Sequence, residues 1–149
     1  MPDILLASDA DWVLREVGSV LAGPSTTIRA VRSGPDVRPA VKRRRPDLVI
    51  LDLQIGNMGG VAIAFDLRLE EGGGRLPHVP ILMLLDRRVD VFLARRASVD
   101  GWVIKPLDPI RLRRSVTALL AGDQYFDKSY TPKPVLVPPT SDTLADAGK

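Results

Sequence analysis

Five short aliphatic runs recur along the chain: "DILLAS" (3–8), "TTIRAVRS" (26–33), "LVILDL" (48–53), "PILMLL" (80–85) and "DGWVIK" (100–105). Most are too continuously apolar to alternate, the pattern of strands covered on both faces; the second is β-branched and alternates. Longer stretches between them return apolar residues every three or four positions. The first, from about Asp9 to Ala22, spaces Trp12, Val13, Val17, Val20 and Leu21 for one helical face. A second helix runs to Arg45, and a third runs from the loop "IGNMGG" (55–60) to about Glu71, closed by Gly72-Gly73-Gly74. A fourth covers about Val89 to Ser98, and Asp108 caps a fifth that ends near Leu120, with Pro109 at its first position. Five strands alternating with five helices predict one doubly wound α/β domain, a parallel sheet with helices on both faces.

The alternation stops near residue 128, so residues 1–128 form the predicted domain. Residues 129–149, "SYTPKPVLVPPTSDTLADAGK", hold four prolines and no periodicity, and are expected to be a mostly disordered tail. Tyr125, Phe126 and Tyr130 cluster just after the last helix. The first two either close the core beneath that helix or join the tail's "PVLVPP" (134–139) in docking on the domain or a partner.

Composition narrows the function classes. A length of 149 residues with 45% hydrophobic and 26% charged side chains suits one globular domain. No run is long enough to span a membrane, and Met1 to Ala10 does not read as a secretory signal, so no membrane role and a cytoplasmic location are expected. The absence of cysteine excludes disulfides and thiolate metal sites. His78, the lone histidine, lies between prolines and reads as a loop residue. The net charge of +3 owes much to "VKRRRP" (41–46). That run reads as a helix C-terminus stopped by Pro46 more readily than as a nucleic-acid contact, since no aromatics are interleaved to stack bases.

One feature is chemically pointed. Asp52 ends the central strand, Asp9 follows the first, and in a doubly wound sheet such positions converge at one rim. Like charges held close call for a cation between them, and a hard divalent ion such as Mg²⁺ suits carboxylates, a main-chain carbonyl and water. Lys105, at the end of the fifth strand, brings an ammonium suited to phosphate.

Over about residues 2 to 122 the chain resembles the receiver domains of two-component response regulators. The resemblance is carried by "ILLASDAD", "PDLVILDLQIGNMGG", "PILMLL" and "GWVIKPLDP", and most specifically by Asp52 with Met58 and Gly60, and by Lys105 with Pro106. It implies a flavodoxin-like sheet of order 2-1-3-4-5, with Asp52 as phosphoacceptor and Asp9 as direct metal ligand. It also implies the main-chain carbonyl of Gln54 as third ligand, Lys105 as phosphate contact, a cis Lys105–Pro106 bond, and Trp102 at the family's aromatic switch position. Four positions depart from the family. Ser8 stands where a second acid is usual, and Gly56 where the acceptor loop usually has proline. Leu85 replaces the switch hydroxyl, and Asp86 replaces a small residue. Leucine offers no donor to a phosphoryl oxygen, and Asp86 adds opposing charge.

The expectation is therefore a stand-alone, atypical response regulator. It takes phosphate on Asp52 from a sensor histidine kinase with weakly bound Mg²⁺, and signals by contact with an output protein or as a homodimer. The alternative is a phosphorylation-independent pseudo-receiver adaptor. A flavin-binding enzyme is disfavoured by the acids in "ASDADW", and a nucleic-acid binder rests on Lys42 to Arg45 alone.

Overall fold

The computed structural model describes residues 1–131; the remainder of the expected tail, with "PVLVPP", lies outside the described residues. Strands β1 (Asp3–Ala7), β2 (Thr27–Val31), β3 (Leu48–Asp52), β4 (Ile81–Leu85) and β5 (Gly101–Ile104) fall on the five apolar runs. Helices α1 (Asp11–Leu21), α2 (Val37–Arg43), α3 (Gly60–Gly72), α4 (Val91–Arg96) and α5 (Pro109–Leu120) connect them or follow them. A sixth strand, β6 (Tyr125–Phe126), completes a sheet of order β2-β1-β3-β4-β5-β6, parallel at every pairing.

The sheet alternates its side chains between two cores. Leu5, Val49, Leu51, Met83 and Leu85 pack under α2, α3 and α4, whereas Ile4, Leu6, Ile50, Leu82 and Val103 pack under α1 and α5. Every residue of β1, β3, β4 and β5 is buried, which is why these strands show no period-two signal. Asp108 accepts the N–H of Ile110 at 3.1 Å, the predicted cap of α5.

Three expectations need correction. The sheet has six strands rather than five: a two-residue run carries no periodicity, and β6 exists only through its pairing with Gly101 and Trp102. Trp12 does not share the buried face of α1. Val13 and Val17 define the core stripe, and Trp12, about 100° away round the helix, is 43% exposed. Helices α2 and α4 are shorter than predicted, each entered through a 3-10 turn, at Gly34–Asp36 and Arg88–Asp90.

The basic run ends α2. Lys42 and Arg43 lie in its last turn, Arg44 pairs with Asp3 at 3.1 Å, and Arg45 donates to the His78 carbonyl at 2.9 Å. Among the described residues no helix is long and apolar enough to cross a membrane.

Candidate functional site

The C-terminal ends of β1, β3 and β5 bring Ser8, Asp9, Asp52 and Lys105 to one rim, where the chain order reverses across the sheet. Asp52 is 1% exposed, and both of its oxygens are engaged. Oδ1 accepts from Lys105 Nζ at 2.7 Å and from the Gln54 N–H at 3.2 Å; Oδ2 accepts from the Ser8 hydroxyl at 2.7 Å. Ser8, fully buried, also accepts the Ala10 N–H at 3.1 Å, which fixes its hydroxyl toward the acid. Gly60 is a packing requirement: a Cβ there would lie 2.8 Å from the Asp52 carbonyl oxygen, so α3 could not start so close beneath Asp52.

Lys105 reaches two acids. Its Nζ donates to Asp86 Oδ1 at 2.9 Å as well as to Asp52, and stands 5.6 Å from the centre of the Trp12 ring. Burial of the ammonium is the largest single influence on its pKa and pulls it down. Hydrogen bonds to Asp52 and Asp86 together outweigh it, and the pKa is raised above the ordinary lysine value. The peptide bond from Lys105 to Pro106 is cis.

Asp9 is exposed, and its Oδ2 accepts the Gly56 N–H at 3.0 Å. Of the expected ligands, Asp9, Asp52 and the Gln54 carbonyl offer only hard oxygens, chemistry that fits Mg²⁺. Among the described residues no cluster of three or more His, Cys, Asp or Glu that could hold a metal occurs.

Leu85 and Trp102, the expected switch positions, are both in the core. Leu85 is fully buried and presents no polar atom; its carbonyl accepts the Lys105 N–H at 2.8 Å. Trp102 is 2% exposed and stacks on Phe126 with centroids 4.4 Å apart.

Residues 4–117 match the response regulator receiver domain family. The chain belongs to that family. The DNA-binding response regulator MtrA of Mycolicibacterium smegmatis is 34% identical over 123 residues, 81% of this chain and 51% of that protein. The transcriptional regulatory protein AfsQ1 of Streptomyces coelicolor is 26% identical, over 80% of this chain and 52% of its own. The receiver chain thus spans about half the length of these relatives. Among solved structures, a putative response regulator from Chloroflexus aurantiacus superposes with a TM-score of 0.73 at 24% identity, covering 80% of this chain and 98% of that one. CheY4 of Vibrio cholerae gives 0.71 at 20%, with the same coverage. At those identities the likeness is one of fold.

Sequence reasoning missed three features of the receiver. It placed Asp86 beside the site as added charge but not as a partner of Lys105. It read Gly56 only as a missing proline and not as a donor to Asp9. It overlooked Asp127, a 3% exposed acid that joins β5, α5 and the segment just after β6. The tripeptide "YFD" (125–127), aromatic residues followed by an acid just after a helix, was the available signal.

Proposed function

We propose that this receiver accepts a phosphoryl group on Asp52 and passes the state on through protein–protein contact. The supporting observation is Asp52 itself, buried at a strand end with Lys105 Nζ at 2.7 Å and with Asp9 at the end of the adjoining strand. An Asp52 oxygen attacks phosphorus as the donor's bond to phosphorus breaks, P–N in a phosphohistidine or P–O in acetyl phosphate, and the imidazole nitrogen or acetate oxygen leaves with the electron pair. Lys105 keeps the acceptor oriented and offers charge to the phosphoryl oxygens. Mg²⁺, held by Asp9, Asp52 and the Gln54 carbonyl, supplies further positive charge when bound. A sensor histidine kinase is the proposed phosphoryl source. A face for the output or a second copy is offered by α4, the turn before it and β6, where Phe92, Val89 and Phe126 are exposed.

The DNA-binding named for MtrA is a property of a protein of which this chain matches only about half. In this chain Arg44 and Arg45 are already engaged with Asp3 and the His78 carbonyl, which argues against a nucleic-acid role for them. An adaptor that works without phosphate is the second reading, favoured by Leu85, which offers no donor where the family's switch has a hydroxyl.

Acetyl phosphate with Mg²⁺ tests the first reading by intact mass. The receiver gains one phosphoryl group and Asp52→Asn gains none; a wild-type mass that never changes leaves the adaptor.

A further inference from the structure

Three of the four departures from the family pattern share one structural effect. Ser8 donates to Asp52 Oδ2 at 2.7 Å, the Gly56 N–H donates to Asp9 Oδ2 at 3.0 Å, and Asp86 Oδ1 accepts from Lys105 at 2.9 Å. The acceptor, the expected metal ligand and the phosphate-contact lysine are each met by a residue that the family does not usually place there.

The local chemistry shows how closely these partners are fitted. A proline at position 56 has no N–H to give Asp9, and a Cβ there would lie 2.7 Å from Asp9 Oδ2. An ammonium has three N–H donors, and carboxylates occupy two of those of Lys105, leaving one for a phosphoryl oxygen. Asp86 Oδ2 is buried without a hydrogen-bond partner among the described residues. A carboxylate with one oxygen unsatisfied is held in place by its other contact, here Lys105.

We propose that Ser8, Gly56 and Asp86 close the site on itself, supplying to Asp52, Asp9 and Lys105 the bonds that an ion and a phosphoryl group would otherwise make. The resting receiver is then stabilised without either, and loading must break internal bonds first. Asp86 acts through Lys105 and is a positioning residue. Ser8 also removes a negative charge from the ion's side of the site, and Asp86 adds one on the lysine's side. Both changes disfavour loading in the same direction. One arm of the test depends on Asp52 being the acceptor.

The test uses the full chain as wild type, Ser8→Asp and Asp86→Ala. Thermal unfolding is followed in chelator and in excess Mg²⁺, and labelling by acetyl phosphate is followed by mass. In chelator both variants melt below wild type. Mg²⁺ raises the melting temperature of Ser8→Asp clearly more than that of wild type. Asp86→Ala is labelled about ten- to a hundredfold faster than wild type despite its lower stability. Opposite signs in stability and labelling are what a merely structural Asp86 would not give. The proposal is overturned if Asp86→Ala is labelled no faster than a labelled wild type, or if Mg²⁺ shifts wild type as much as Ser8→Asp. Absence of label in every protein refutes Asp52 as acceptor, and the chelator and Mg²⁺ melting data then decide alone whether the site is closed.

Discussion

The indole Nε1 of Trp102 donates to the main-chain carbonyl of Asp127 at 3.2 Å, so this residue, the expected switch aromatic, is tied to the segment after α5. The same carbonyl accepts from Arg88 at 2.8 Å, and the Asp127 side chain accepts the Ile104 N–H at 2.8 Å and the Ser129 N–H at 2.8 Å. Arg111 lies 3.5 Å from Asp127 Oδ1. One nearly buried acid therefore joins the turn before α4, strand β5, helix α5 and the chain beyond β6.

Asp127→Ala is expected to cost about 2–3 kcal/mol, because it strands the buried Ile104 N–H and removes a charged hydrogen-bond acceptor. Urea unfolding measures the loss. Trp102 fluorescence should shift to the red, and a variant as stable as wild type would mean that β6 holds without its acid.

Truncation separates the two parts of the C-terminal region. Removing residues 129–149 leaves every strand and helix of the described fold in place and should preserve near-ultraviolet dichroism. We expect it to alter self-association or partner capture. Removing everything from Gln124 onward also deletes β6 and Asp127, uncovers Trp102 and lowers stability well beyond the first cut. Equal melting temperatures for the two truncations would contradict this division.

The raised pKa of Lys105 has a defined sign in stability. A group whose pKa is higher when folded stabilises the fold fully below its unfolded value, about 10.4 for lysine, and loses that contribution as pH rises through the folded value. Lys105→Met should therefore be less stable than wild type by a constant margin from pH 6 to 9 (roughly the neutral range), narrowing only above the ordinary lysine pKa. Chemical denaturation across pH reads this margin, and a gap that closes near neutrality would show that the ion pairs contribute nothing.

Gly60→Ala reverses the usual rule for helices. Alanine is ordinarily favoured over glycine by about 1 kcal/mol, but here its Cβ would meet the Asp52 carbonyl and lie 2.9 Å from Leu53 Cα. We expect a net loss of about 1–3 kcal/mol as α3 is pushed outward, measured by urea unfolding.

The parts of the receiver legible in the sequence were those with a period or a boundary. Four fully buried strands announced themselves as aliphatic runs, and Asp108 with Pro109 marked the start of α5. Asp9, Asp52 and Lys105 could be placed at one rim because strand ends fix position once topology is assumed. Contacts between loops had no such guide. Whether Asp86 turns toward Lys105 depends on a loop conformation that no local pattern encodes, and the bond from Gly56 to Asp9 spans 47 residues. Trp12 was misplaced for a different reason: one position of helical phase decides between core and rim, and a large apolar side chain tempts the wrong choice.

Without β6, the outer edge of β5 would be a row of bare peptide groups. Such an edge is a template on which a second chain's strand can add, and then another. In this receiver β6 occupies that edge and is itself only two residues long, too short to template a further strand. At this end of the sheet, then, the residues that tether Trp102 also leave little open edge on which a neighbouring strand could add.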